Sequence, residues 1–259
     1  MRTILVFIIS CIITIPSFSQ DIYIIDYDII LNTERPLKKT GKLIFDSQNG
    51  RSIFVESSPL KKSKIIKKES IESGNEIELN IAEDNPQFNF INFAKDTLIS
   101  AEMMAFNIYN IAETLPKIKW EITDNEKKIG KHSVLLAKTF FRGRHYEAWF
   151  ALDYPIRTGP WKLHGLPGLI LEAYDESKRY MWVAKEIKSN QQSENFNGYF
   201  ELTVNKNKTI NIKTYAEKRY NNSISSMIQA RLPREVKVED RLINTRNGKE
   251  ILFEWEIQD

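Results

Sequence analysis

The chain has 259 residues, 42% of them hydrophobic, and this share excludes a wholly disordered protein. Its 37 basic and 34 acidic residues leave a net charge of +3, an excess too small to predict a nucleic-acid partner. The single cysteine excludes an internal disulfide bond.

The first 19 residues have the pattern of a secretory signal peptide. Arg2 is basic, residues 4–15 are apolar, and Ser17-Phe18-Ser19 is a small-x-small cleavage site. The apolar stretch is shorter than the about 20 residues that a transmembrane helix needs, and no later segment approaches that length without charges. Cys11 could mark a lipoprotein, but apolar residues continue past it. We therefore predict an exported protein, periplasmic or associated with the outer membrane, with no transmembrane segment after cleavage.

Alternation of apolar and polar residues, the pattern of β-strands, dominates the mature chain. The predicted strands are residues 22–31, 42–45, 52–56, 75–81, 88–93, 98–104, 106–111, 119–123, 133–140, 145–152, 169–174, 180–187, 199–204, 209–212, 236–243 and 250–257. Asn49-Gly50 and Asn247-Gly248 are strong hairpin turns, and a further turn is predicted at 124–126. One helix is predicted over 214–231, because Tyr220, Ile224, Met227 and Ile228 share one face.

Successive hairpins indicate antiparallel pairing, because parallel strands need crossover connections. We therefore expect a mainly β fold: a curved antiparallel sheet or half-barrel with one amphipathic helix near the C-terminal region. No flexible linker divides the chain, so residues 20–259 are predicted to form a single domain. The lysine-rich segment 60–68 is either a solvated loop or edge strand, or a contact for anionic lipid.

Glycine and proline are concentrated between residues 159 and 168, just before an apolar strand. The predicted structural motif consists of Gly159, Pro160, Gly165, Leu166, Pro167, Gly168, Leu169 and Ile170. Residues 166–169 fit a type II turn, in which proline sets φ near −65° and Gly168 supplies the positive φ.

The string Gly165-Leu166-Pro167-Gly168-Leu169-Ile170 resembles the hexapeptide that names the GLPGLI family of Gram-negative cell-envelope proteins. Residues 141–150 and Gly159-Pro160 also resemble the pattern of that family, and the resemblance extends over about residues 88–188. It implies an exported, β-rich envelope protein of the GLPGLI type, and it implies no activity that can be assigned to particular residues.

The specific motifs of hydrolases, zinc proteases and phosphate-binding loops are missing, so we predict no catalytic residue and no cofactor. The three histidines, His132, His145 and His164, are not spaced as a chelating pair on one element, so we predict no metal site.

The candidate ligand-binding residues are Trp149, Trp161, His164 and Arg144, which lie on or near the strands around the turn. Alternation places Trp149 on the face opposite Tyr146, Ala148, Phe150 and Leu152. Core packing is the simpler role of such aromatic residues, but aromatic surfaces also bind sugars, lipids and extended peptides.

These observations favour a non-catalytic binding or carrier protein for an apolar ligand or an envelope partner, where the partner is a lipid, a glycan or a protein. The alternative is a periplasmic hydrolase in which His164 acts as general base with Asp153, Glu172 or Asp175. The simpler role of His164 is to pack within its loop.

Overall fold

The computed structural model describes residues 22–57, 66–67, 78–79, 86–104, 107–190, 196–201, 209–220 and 246–257. The strands are β1 (Ile22–Leu31), β2 (Leu37–Asp46), β3 (Arg51–Ser57), β4 (Ile66–Lys67), β5 (Glu78–Leu79), β6 (Gln87–Asn92), β7 (Thr97–Met104), β8 (Asn107–Thr114), β9 (Glu121–Ile129), β10 (His132–Phe141), β11 (Arg144–Ala151), β12 (Leu169–Asp175), β13 (Tyr180–Asn190) and β14 (Thr209–Asn211). The helices are α1 (Asn197–Glu201) and α2 (Ile212–Tyr220), and a 3-10 turn covers Glu254–Glu256.

Twelve strands form one sheet in the order β14-β8-β7-β6-β3-β2-β1-β13-β12-β11-β10-β9, while β4 and β5 pair separately. The mainly β prediction is confirmed. Neighbouring strands of the large sheet are antiparallel except that β14 runs parallel to β8. The prediction of purely antiparallel pairing is therefore wrong at this edge of the sheet. β14 is distant from β8 in the chain, so no hairpin sets its direction.

The large sheet is curled, as predicted, because β9 at one end and β8, the second strand from the other end, are consecutive in the chain. β8 and β9 are ten positions apart in the strand order, about 48 Å in a flat sheet. Residues 115–120 join them, and such a connection spans at most about 25 Å. The two ends must therefore face each other across a gap, which we call the seam. No backbone pairing crosses the seam between the described strands.

The concave face of the sheet is filled by the segment that joins β11 to β12. Side chains from β3 to β10, six positions apart in the sheet, share one buried cluster, which is possible only on the concave side. Ile156, Trp161, Leu163 and Leu166 of this segment belong to the same cluster. The glycine–proline segment is therefore a core plug. It does not form an exposed loop.

The convex face carries a second cluster, which α1 covers. Ile24, Ile44 and Ile53 alternate with residues of the concave cluster and pack against Phe200 of α1. The strand predicted at 199–204 is therefore wrong over its described part, residues 199–201, which are helical. Contact with the sheet outweighs a local strand pattern here.

Gly168 does not occupy the positive-φ conformation of a type II turn, so that prediction is wrong. Positive φ occurs instead at Trp161 (56°) and Gly165 (95°). A Cβ atom on Gly168 would lie 2.2 Å from the carbonyl oxygen of Ala151. Gly168 is therefore needed for close approach of two backbones.

Two other predicted elements differ in the structure. β9 continues through the turn predicted at 124–126, with a register irregularity opposite residues 135–137. Residues 250–257 are irregular and include the 3-10 turn, so the strand predicted there is wrong. The signal peptide 1–19 with Cys11, most of the lysine segment 60–68, the predicted helix beyond Tyr220 and the strand at 236–243 lie outside the described residues. Within the described part of the chain, no helix has the length and hydropathy required to cross a membrane.

Candidate functional site

Trp161 and His164, two of the predicted ligand-binding residues, are both buried. Trp161 is 1% exposed and stacks on Trp182, with ring centroids 5.8 Å apart and planes 3° from parallel. His164 is 6% exposed, and its Nδ1 lies 2.8 Å from the carbonyl oxygen of Lys162. Burial lowers the pKa of His164, which favours the neutral imidazole.

Arg144 and Trp149, the other two, make separate contacts. Arg144 contacts residues 246–257, which we call the C-terminal segment: its Nε donates to the Gly248 carbonyl at 2.7 Å. Its Nη1 lies 3.1 Å from Asp175. Trp149 lies opposite the buried Tyr146 and Phe150, with Lys127 Nζ 4.2 Å from its ring. Among the described residues, the four predicted side chains therefore share no hydrogen-bond or charge partner.

The carboxylates proposed to pair with His164 are engaged elsewhere. Asp153 lies 3.3 Å from His132 Nδ1, and Glu172 pairs with Lys127 at 2.8 Å. Asp175 accepts the backbone N–H of Tyr180 at 2.7 Å as well as the Arg144 contact. The described geometry therefore contains no His164–carboxylate pair.

A buried ion network, which sequence reasoning missed, crosses the seam. The side chain of Lys162 is 0% exposed, and its Nζ lies 3.0 Å from both Glu250 oxygens and 3.3 Å from Glu113. Arg142 binds the same two carboxylates, Glu113 at 2.5 Å and Glu250 at 2.9 Å. It also binds Glu254 at 2.7 Å. We call these five residues the ion network.

The pKa shifts of Lys162 and Glu250, two members of the ion network, both favour the charged form. Burial alone would lower the pKa of Lys162, but Glu250 and Glu113 outweigh it and raise that pKa. Burial alone would raise the pKa of Glu250, but Lys162 and Arg142 outweigh it and lower that pKa. The network therefore holds charged groups that stabilise one another.

The ion network joins four separate parts of the fold. Glu113 lies near the end of β8 on one side of the seam, and Arg142 lies in the β10–β11 turn on the other side. Lys162 comes from the core plug between β11 and β12, while Glu250 and Glu254 come from the C-terminal segment. The only sequence signal for it is a lysine among apolar residues at 160–163.

A cleft of about 820 Å³ opens at the seam, and we call it the seam cleft. Its walls are residues 112–117, residues 211–214 with Glu217, and Glu254 with Trp255, together with Asp96 and Arg142. Trp255 is 40% exposed and is stacked on Phe253, with ring centroids 4.8 Å apart. The cleft thus presents a supported aromatic ring among charges of both signs.

A second, smaller space of about 100 Å³, which we call the inner cavity, lies beside the concave core. It is lined by Glu102, Trp161, Tyr180, Tyr215, Arg219, Tyr220, Gly248, Lys249 and Glu250. Both spaces are lined partly by residues of α2. Among the residues that the structure describes, no three potential metal ligands come together.

Comparison with known proteins gives one short family match. A family model described as "Protein of unknown function (Porph_ging)" matches residues 141–172, the segment that holds Arg142, Lys162 and the glycine–proline motif. No curated protein matches the chain.

Solved structures match over a larger part of the chain. Two structures of PNGF-II, in space groups P21 and C2, are each 17% identical with a TM-score of 0.52 and cover 76% of this chain. An uncharacterized conserved protein from Thermus thermophilus is 8% identical, with a TM-score of 0.40, and the match covers 75% of this chain and 91% of that one. This chain spans 32% of the PNGF-II chain, about a third of its length, and the likeness is one of fold. The chain is thus similar to a family of unknown function over residues 141–172, and to part of PNGF-II in its fold.

Proposed function

We propose that this protein is an exported, non-catalytic binding protein of the cell envelope, of the GLPGLI type, which holds a segment of an envelope-protein partner in the seam cleft. The signal-peptide pattern of residues 1–19 and the hexapeptide at 165–170 support export and the envelope assignment. The observation that carries the binding proposal is Trp255, a partly exposed tryptophan fixed in a cleft of ligand size.

Trp255 has the properties of an anchor for a protein partner. Its ring stacks on Phe253 with planes 10° from parallel, so little side-chain freedom is lost on binding. Tryptophan is enriched among the few residues that dominate protein interfaces. A cleft of about 820 Å³ lies within the range of ordinary ligand pockets.

The charges of the cleft favour a peptide over an apolar ligand. Asp96 and Glu217 are acidic, and Lys117 and Lys213 are basic. A lipid chain would remove these groups from water without replacing their hydrogen bonds, which is unfavourable. A peptide with charges of both signs can pair with them and gain specificity. Of the two ligands expected from the sequence, an apolar molecule or an envelope partner, the partner therefore fits better.

The hydrolase alternative lacks a comparable observation. His164 is buried against a backbone carbonyl, and the three carboxylates considered for it have other partners. A general base must reach the proton that it removes. We therefore do not propose this function.

The binding proposal is tested with a random decapeptide library displayed on beads. We expect the protein to enrich peptides that combine an aromatic residue with charges, and we expect Trp255→Ala to lose them. The matched control is Phe140→Ala, which removes another exposed ring (48% exposed) away from the cleft. Equal enrichment by wild type and Trp255→Ala would contradict the proposal, as would Trp255-dependent binding to a glycan array in place of peptides.

Export is tested separately by expressing the full chain in a Gram-negative host and fractionating the cells. We expect the protein in the envelope fraction with Gln20 at its N-terminus. A cytoplasmic protein that retains residues 1–19 would contradict export.

A further inference from the structure

The backbone of Arg142 contacts the C-terminal segment just before Trp255. The carbonyl oxygen of Arg142 accepts the N–H of Ile251 at 2.9 Å and that of Leu252 at 3.3 Å. A Cβ atom on the next residue, Gly143, would lie 2.6 Å from Ile251 and 2.8 Å from Leu252, so the two parts of the chain are in close contact. The β10–β11 turn therefore fixes the path of the chain that leads into the seam cleft.

The side chain of Arg142 holds the next part of the same segment. Its three guanidinium nitrogens each bind a different carboxylate, and Nε donates to Glu254 at 2.7 Å. The guanidinium carbon lies 5.0 Å from the centre of the Phe253 ring, a distance at which a cation is attracted to an aromatic ring. Because all three nitrogens are engaged, the guanidinium is held in one orientation over Phe253.

Glu254 and Phe253 link Arg142 to Trp255. Glu254 precedes Trp255 in the 3-10 turn, and Phe253 is the ring on which Trp255 stacks, with centroids 4.8 Å apart. Phe253 is fully buried, whereas Trp255 is partly exposed and lines the seam cleft. The contacts therefore run from the guanidinium to a buried ring, and from that ring to the exposed ring in the cleft.

The backbone of Arg142 has a conformation that residues other than glycine rarely adopt. Its φ is +52°, and the φ of Gly143 is +84°. A positive φ at a residue with a Cβ atom persists only where surrounding contacts hold it, and such residues cluster at functional sites. Arg142 is held by its carbonyl oxygen and by its side chain, and both reach the C-terminal segment.

We propose that Arg142 is a positioning residue for Trp255, which fixes the tryptophan ring in the seam cleft before a partner binds. The consequence for binding rests on the proposed function, because an anchor that is already ordered loses less side-chain freedom when a partner binds. The order of the ring itself can be measured without any partner. Failure of this inference is therefore distinguishable from failure of the binding proposal.

The test measures the motion of the Trp255 indole in the full mature chain, labelled with ¹⁵N at its five tryptophan indoles. The Trp255 signal is assigned by its loss in Trp255→Phe. We expect an order parameter of about 0.85 in the wild type, typical of a rigid N–H group, and below about 0.6 in Glu254→Ala. The side chain of Glu254 is 52% exposed, so its removal breaks the contact with Arg142 without emptying the core.

Arg142→Lys tests the guanidinium directly. Lysine keeps the positive charge but has a single nitrogen, so it cannot hold three carboxylates in the planar arrangement of a guanidinium. We expect the order parameter of Trp255 to fall in Arg142→Lys as it does in Glu254→Ala. If Arg142→Lys does not fold, the result for Glu254→Ala decides.

The matched control is Lys162→Met, which removes the other cation of the ion network. Lys162 binds Glu113 and Glu250, as Arg142 does, but among the described residues it makes no ion pair with Glu254. We expect Lys162→Met to be less stable and yet to keep the order parameter of Trp255, at a temperature where all variants are folded. An equal fall in Lys162→Met and Glu254→Ala would overturn the inference, because the network as a whole would then order the ring.

Peptide affinity gives the functional readout. For a decapeptide selected with the wild type, we expect Glu254→Ala to weaken binding by about two- to tenfold and Lys162→Met to retain it. An unchanged order parameter of Trp255 in Glu254→Ala would overturn the inference, whatever the library yields, and so would unchanged affinity with a mobile ring. If the order parameter falls as expected and no peptide is enriched, the positioning inference holds and the binding proposal fails.

Discussion

At Gly168, the space for a side chain is occupied by the backbone of a neighbouring strand. A Cβ atom would lie 2.2 Å from the Ala151 carbonyl oxygen and 2.7 Å from its carbonyl carbon. These atoms cannot move without disturbing the pairing of Ala151 with Leu169. We predict that Gly168→Ala lowers the free energy of unfolding by about 1–3 kcal/mol, the usual cost of overpacking, as measured by urea denaturation.

The control for this prediction is Gly130→Ala, in the turn between β9 and β10. Nothing lies within 4 Å of a Cβ there, and φ is +60°, so only backbone strain of about 1 kcal/mol is expected. Unchanged stability of Gly168→Ala would show that the two backbones do not approach as closely as described.

The type II turn predicted at Pro167-Gly168 is absent for a physical reason. A glycine satisfies both a positive φ and a close backbone approach, and local sequence does not distinguish the two. The positive φ lies three residues earlier, at Gly165. The close approach involves Ala151, which is too distant in sequence for the rules of turn conformation to include it.

At the scale of elements, strands with regular alternation could be predicted. β1 matches its predicted bounds, and β10 to β13 differ from theirs by a few residues at most. Alternation is a local signal, so it survives without knowledge of the partner strand. The aromatic segments around Tyr199 and Trp255 alternate in the same way but pair with none of the described strands. Their conformation depends on contacts with distant residues.

The ion network could not have been predicted for the same reason. Lys162 meets a carboxylate 49 positions away in Glu113 and another 88 positions away in Glu250. The sequence shows only a lysine in an apolar run. Its partners are defined by the curl of the sheet, which brings β8 opposite the β10–β11 turn.

Lys162 should be one of the most important side chains for joining these elements. We predict that Lys162→Met lowers the free energy of unfolding by about 3–5 kcal/mol, because it removes one partner from a buried ion pair. The measurement is urea denaturation of the purified protein at neutral pH.

The matched control is Lys138→Met, which removes an ion pair of similar length, 2.9 Å to Glu147, from an exposed part of the sheet. Such surface pairs contribute about 1 kcal/mol or less. An equal loss in the free energy of unfolding in both variants would show that burial does not make the Lys162 ion pairs more stabilising than a surface pair.

At the scale of the whole molecule, the seam is held by side-chain charges, whereas the rest of the large sheet is held by backbone hydrogen bonds. Backbone pairing does not titrate between about pH 3 and pH 9, but carboxylates do. The stability of the closed curl should therefore depend on pH in a way that the pairing within the sheet does not.

The direction of this dependence follows from the pKa shifts. The pKa of Glu250 is lowered from its ordinary value of 4.5 because Lys162 and Arg142 outweigh its burial. The pKa of Glu56 is likewise lowered because Lys249 and Lys39 outweigh its burial. Between the folded and unfolded values, the unfolded chain binds more protons. Stability is therefore fully present above about pH 4.5 and is lost as the pH falls through the folded values.

We predict that the urea midpoint of the wild type changes little from about pH 7 to pH 5 and falls steadily below about pH 4.5. Burial raises the pKa of Glu102, so this group opposes the loss of stability in acid. Glu56 and Glu250, with lowered pKa values, outnumber it. The Glu250→Gln variant should begin from a lower midpoint at neutral pH and show a shallower acid slope, because it has lost one of the titrating groups. A wild-type midpoint that stays constant to about pH 3, or an acid slope that is the same in both proteins, would mean that Glu250 does not help to hold the seam closed.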